Sequence, residues 1–434
     1  MIKNRTVYLL FLFVLALAGF GSCDSKDDTE YPKIIINQPL AGSSYENGDT
    51  IVFNALISDN SQLNSVEVLL VDQDNKPVLA NISIVPTANP FTFHGEYIIN
   101  DPMLPGGTYQ LRFKASDGVN SANQFVEIQV HELERQLLYP LIVTHPNSGN
   151  WLVYSLTNNN AWKETYSHKG DYIGSEVNSS ASLLYICGIY QSDLSAIHLP
   201  DGVLRWNVKP EIYESGRWFE SLNFSYPYLY VCCANGSIRG YNNIGAEIYR
   251  SEKYTNSVPN LSVTTQNFVI GSFKDAFSND SFLVAFHNEG GKMIYNKFIQ
   301  DEVVDLIHVE NDKVLVFSNS SGHGVISLYD GADNSMSVLH PFNDGTFREV
   351  SAMDKGNYLV SGSTGLFWYR LNDNSLTPFV PAEINSLLEC DNTSQLIFTC
   401  SGKTMNVYNF PDATLAESFP LPDTVIDLHL VFNK

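Results

Sequence analysis

The stretch TVIDLHLVFNK, Thr424–Lys434, alternates apolar and polar residues, and no further strand-like segment follows it. That alternation marks a strand with one buried face. Its backbone N–H and C=O groups need partners, because unpaired buried groups are costly. The partner must therefore lie far back in the sequence, and identifying it decides the fold.

A repeat supplies the answer. The segments SEVNSS, FESLNF, PNLSVT, VDLIHV, REVSAM, INSLLE and IDLHLV each place one polar residue at the head of a strand-like run. These residues are Glu176, Glu220, Asn260, Asp305, Glu349, Asn385 and Asp427. Their spacings are 44, 40, 45, 44, 36 and 42 residues. A period of about 40–45 residues is that of a four-stranded propeller blade. Three more strands follow each marker, as KVLVFSNS, GVISLYDG and SMSVLHPF follow Asp305.

The first repeat, Leu137 to His168, offers only three strands (LLYPLIVT, NWLVYSL, AWKETYSH), and the last marker strand has none after it. Together they make one complete blade. The expectation for residues 137–434 is thus a seven-bladed β-propeller in which the terminal strand pairs with the first three, closing the ring and removing exposed edges.

Residues 31–132 read as a separate β-sandwich. KIIINQ, DTIVFNALI, VEVLLVD, TFHGEYII, TYQLRFKAS and NQFVEIQV are short alternating strands, with turns expected at Ser43–Gly48, Asp72–Asn75 and Pro105–Gly107. Two stretches, YENGDTIVFNALISD and PGGTYQLRFKASDG, resemble bacterial immunoglobulin-like modules of cell-surface proteins. That resemblance places Tyr109 as a corner tyrosine. Asp59 and Asp117 end matching SD pairs; they either cap their own turns or share a calcium ion.

Ahead of these lies a basic start (Lys3, Arg5), an apolar run from Val7 to Ala18, and the ending Phe20-Gly21-Ser22-Cys23. Charge, apolar length and small-residue end are those of a secretory signal, residues 1–22. The ending is similar to a bacterial lipobox, which implies lipidation at Cys23. The acidic stretch that follows, within a tether of residues 23–30, resembles the signal that sends Bacteroides-type lipoproteins to the outer surface. The membrane is then met through the lipid anchor only.

The sequence holds 25 Lys+Arg against 47 Asp+Glu, a formal net charge of -22. Such a surface repels phosphate backbones and excludes nucleic acid as a partner. Cys187, Cys232, Cys233, Cys390 and Cys400 sit in apolar strand-like runs and read as core residues. Adjacent strand positions face opposite ways, so Cys232 and Cys233 do not share a ligand.

The stretches AIHLPDGVLRWNV and VAFHNEGGKMIYN resemble the repeats of quinoprotein-type propellers. A consistent tryptophan-docking motif is missing, so no quinone cofactor is implied, and the GH…WD pattern of WD40 repeats is missing too. The sequence carries no H-E-x-x-H, Gly-x-Ser-x-Gly, phosphate-loop or dinucleotide motif.

Two sites are expected. The markers should gather near one mouth of the propeller channel, where Glu176, Glu220, Asp305, Glu349 and Asp427 would either cap neighbouring loops or hold Ca2+ through carboxylate oxygens. On the same face, the loop of residues 209–230 carries Tyr213, Arg217 and Trp218 beside Glu220, a set suited to stacking and hydrogen-bonding a sugar ring. The expected role is non-catalytic capture of a glycan or an envelope protein. The alternatives are a scaffold in an envelope complex and a carbohydrate-active enzyme using Glu220 with Glu349.

Overall fold

The computed structural model describes residues 28–145, 149–190, 192–211, 216–278 and 280–434. Cys23, the signal segment and Tyr213 lie outside the described residues. The chain divides into two units, Met1–Leu133 and Glu134–Lys434. Among the described residues the only helix is the single turn Ser179–Ala181; none is long and apolar enough to cross a membrane.

The first unit is two sheets around one core. One sheet orders Lys33–Gln38, Thr50–Ser58 and Phe91–Ile98. The other orders Ser43–Glu46, Ser121–His131, Gly107–Ser116, Ser65–Val71 and Ile82–Ile84. Alternation explains the burial: Ile51, Phe53, Ala55 and Ile57 are inward on one strand, and Tyr109, Leu111, Phe113 and Ala115 on another. The Tyr109 hydroxyl donates to the Pro105 carbonyl at 2.8 Å, as expected of a corner tyrosine. One expectation is corrected. Ser43–Glu46 is not a turn but a short strand, paired in parallel with Ser121–His131. Its alternation is too brief to show in sequence.

The second unit contains seven four-stranded antiparallel sheets. Their first strands are Gly174–Asn178, Phe219–Ser225, Ser257–Thr264, Glu302–Glu310, Phe347–Ala352, Leu387–Asp391 and Val425–Phe432. Each of these touches the next, and Val425–Phe432 touches Gly174–Asn178, so the cycle closes around a central channel. This is a β-propeller architecture.

The terminal strand has the expected partner. Val425–Phe432 pairs antiparallel with Leu137–Thr144, with Asp427 opposite Val143 and Leu430 opposite Pro140, completing a sheet with Asn150–Leu156 and Trp162–Lys169. The junction is locked at its end. The Asn433 and Gln136 backbones and the Asn433 side chain exchange hydrogen bonds at 2.9–3.1 Å. The Arg135 guanidinium lies 3.4 Å from the Phe432 ring centroid, a cation–π contact.

Between sheets the core is apolar. All five cysteines of this unit are buried and free. Cys233 faces Leu183 and Trp218 on one side of its sheet, while Cys232 faces Val269 and Phe273 on the other. Burial pushes the Cys232 thiol up to about 11, as befits a core residue.

Candidate functional site: the channel and its mouth

The markers do not form one ring. A β-bulge adds one residue at the head of several first strands, and it falls either on the marker or just before it. Glu220 and Asn260 are themselves the extra residues. Asp305, Glu349 and Asp427 come immediately after theirs. Asn385 lies outside the strand altogether, exposed and with φ of 51°. Asp305, Glu349 and Asp427 therefore share one layer of the channel, and the remaining markers do not join it.

A second layer lies two residues further along the strands, on the same face. It holds Ser351 and His429, two positions after Glu349 and Asp427. Glu389 joins it, its Oε2 accepting from the Ser351 hydroxyl at 3.4 Å. Glu176 belongs here as well, because it and Glu389 both act on His429 from either side. Sequence reasoning missed Glu389 and His429, although strand periodicity counted onward from Asp427 would have found the histidine.

His429 is 7% exposed. Burial favours its neutral form, but Asp427, then Glu176 and Glu389, outweigh this and lift it to about 9. Its protonated Nε2 faces Ser175 Oγ at 2.7 Å, and Asp427 Oδ2 lies 3.5 Å from the same nitrogen. Asp427 Oδ2 also accepts from the Tyr172 hydroxyl at 2.5 Å, the Ser175 hydroxyl at 2.9 Å and the Ser175 amide at 3.2 Å. Burial works against ionisation of Asp427, yet His429 and these donors hold it below the usual carboxylate range.

The other carboxyls are pushed the opposite way. Burial raises Glu176 to about 8, Glu389 to about 7 and Asp305 to about 6. Glu349 is raised by burial, then by Asp427 and Glu389. Ser175, His429 and Asp427 do not constitute a nucleophilic triad. Serine and aspartate meet the same ring nitrogen, whereas a relay needs the carboxylate on the other one.

Among the described residues the carboxylates expected to hold calcium do not gather into one cluster. A calcium ion draws its oxygens to about 2.3–2.6 Å, so ligating atoms must lie within roughly 5 Å of one another. Among the described residues, the one group of three or more acidic, histidine or cysteine side chains that meets 4.8 Å is Asp28, Asp59 and Asp117 in the first unit. Glu176, Glu220, Asp305, Glu349 and Asp427 do not converge in this way. Asp59 and Asp117 also cap their own turns: Asp59 Oδ2 accepts from the Ser61 amide and hydroxyl, and Asp117 Oδ1 from the Val119 and Asn120 amides.

The aromatic site is corrected as well. Trp218 is 2% exposed and packs with Leu183, Cys187, Phe219 and Cys233, with the Arg239 guanidinium 4.9 Å from its ring centroid. It has no face to offer a sugar. Arg217 pairs with Glu220 at 2.6 Å, which opposes the upward push of burial on that carboxyl.

A concave surface among the described residues of this unit lies elsewhere. A cavity of about 790 Å3 opens where the first strands end rather than where they begin. Asn223, Ser225, Thr264 and Gln266 line it on one side; Asp305, His308, Asn311, Ser351, Ala352 and Glu389 line it on the other. Phe224 and Ile307 add apolar surface. The volume falls within the range of about 300–1,000 Å3 typical of ligand sites.

No protein-family model matches the sequence, and no curated protein matches it. Among solved structures, the chain is similar to a quinoprotein alcohol dehydrogenase-like protein from Bacteroides thetaiotaomicron VPI-5482, at 12% identity and a TM-score of 0.46, over 94% of this chain and 100% of that one. It is similar to BamB from Moraxella catarrhalis at 11% identity and a TM-score of 0.41, over 66% and 89%. It is also similar to the computationally designed protein Ika8 at 10% identity and a TM-score of 0.49, over 66% and 86%. The propeller assignment stands on the strand order and the closed cycle of contacts, not on these likenesses.

Proposed function

We infer that the protein is a non-catalytic capture protein of the bacterial outer surface. In this reading Cys23 carries the lipid anchor, residues 23–30 are the tether, an immunoglobulin-like module acts as spacer, and a seven-bladed propeller presents the binding site to the exterior. The target is a glycan or a partner protein of the envelope, held at the cavity where the first strands end. Nucleic acid is not a target of so acidic a chain.

The observation that carries this reading is the cavity itself, a concave surface lined by amides, hydroxyls and carboxylates on rigid strands. The experiment compares the full chain with Ala352→Trp, which fills the mouth from an exposed lining position. Both are applied to a glycan array and cross-linked in native envelopes. Capture by the parent and its loss in the variant is the expected result. Equal capture by both would reject the cavity as the site.

A further inference from the structure

We propose that the cavity at the ends of the first strands binds an organic cation, a lysine or arginine side chain in a basic segment of a partner polypeptide. The inference rests on the capture reading above and names the chemistry of its target.

Three features of the site carry it. The first is charge. Asp305 and Glu389 are among the residues lining the cavity, and among the described residues no lysine or arginine lines it. Glu349 lies next to both, close enough for each to disfavour its ionisation. Two cations act on Glu389: His429, already engaged by Asp427 and Ser175, and Arg135, already held against the Phe432 ring and Asn392. His308, the histidine of the lining, meets the Asn311 carbonyl oxygen through Nε2 at 3.0 Å.

The second feature is spacing. Among the described residues the channel carboxylates do not bring three ligand atoms within 4.8 Å of one another. Such spacing does not suit a compact chelate built on three carboxylates. It suits an extended cation whose several N–H donors reach carboxylates and amides that stand apart, as a guanidinium or a flexible ammonium does.

The third is room and wall chemistry. About 790 Å3 accommodates a long basic side chain. Phe224 and Ile307 provide apolar surface for its methylene stem, while Asn223, Gln266 and Ser351 offer acceptors beyond the charged end. Burial also leaves Glu389 only partly ionised at neutral pH, so a bound cation would draw it into its charged form and release a proton.

The test uses the full chain in detergent, with tetra-arginine, tetra-glutamate and spermine as probes, by titration calorimetry in two buffers of different ionisation enthalpy. Tetra-arginine is expected to bind with proton release, and tetra-glutamate is not. Asp305→Asn combined with Glu389→Gln should weaken tetra-arginine about tenfold or more, the loss expected when charge-assisted bonds go. Asp305→Asn alone should weaken it by a smaller factor, and unchanged melting of that variant shows that folding is not the cause. Absence of tetra-arginine binding, undiminished binding by the double variant, or binding of spermine alone would overturn the inference. If Ala352→Trp abolishes capture from envelopes while the double variant retains it, the capture reading stands and the cation falls. If capture survives Ala352→Trp, the capture reading falls.

Discussion

Asp427 and His429 stand two residues apart on the terminal strand, and their side chains meet in the channel with Oδ2 3.5 Å from Nε2. The strand that closes the ring thus also brings the channel's buried cation. Glu176 and Glu389 approach that histidine from the two neighbouring sheets, so ring closure and charge balance depend on the same few residues.

Replacing His429 with alanine should therefore destabilise the second unit. It leaves Asp427, Glu176 and Glu389 without their shared positive partner, and breaking a buried pair from one side costs about 3–5 kcal/mol. Chemical denaturation of the parent and of His429→Ala provides the comparison. Unchanged stability would mean that the histidine carries no charge.

Stability should fall as pH rises from about 5 to 9. His429 is raised from 6.5 to about 9 in the folded chain, so its contribution is complete below 6.5 and is lost as pH climbs through 9. Glu176 and Glu389 are raised from 4.5 to about 8 and about 7. They also bind protons more tightly when folded, and their effect runs the same way over pH 4.5 to 8. Asp427 is lowered and acts in the opposite sense, below its ordinary value of 3.8. Melting temperatures across this window provide the check, and Glu389→Gln should flatten the slope.

Trp218→Ala should lower stability by about 3–5 kcal/mol, the cost of emptying a large buried site. The ring is 2% exposed between sheets. A stacking platform for sugar would behave differently, with melting unchanged and binding lost.

Deleting Thr424–Lys434 should abolish the cooperative transition of residues 134–434 rather than fray one end. The deletion leaves Leu137–Thr144 with Asn150–Leu156 as its one remaining strand partner and removes Phe432 from Arg135. Arg135→Ala, which removes that cation–π contact, the 2.8 Å bond to Asn392 and the attraction of Asp391 and Glu389, should cost far less, on the order of 1 kcal/mol.

The ring of sheets was legible in the sequence because it rests on counting. Seven markers at intervals near 42 residues and a last strand lacking successors lead to one closed topology. The site was less legible, for a local reason. A bulge inserts one residue and turns the next side chain to the other face, so Glu220 and Asp305 look equivalent in a repeat alignment and are not. Asn385 shows the same difficulty in stronger form, since it falls before its strand starts. Trp218 misled because a loop aromatic beside a charged pair reads equally well as a platform or as a plug between sheets. Its burial depends on Leu183 and Cys187 of the preceding sheet, which sequence proximity does not reveal.

The central claim is that partners are captured where the first strands end. Its most direct test is a photo-cross-linking residue placed at Ala352, on the rim of the cavity, and in a second protein at Val338, an exposed outer-strand position. Both are irradiated in native envelopes. The account predicts a discrete adduct from position 352 and none from 338; an adduct from 338 with none from 352 would contradict it.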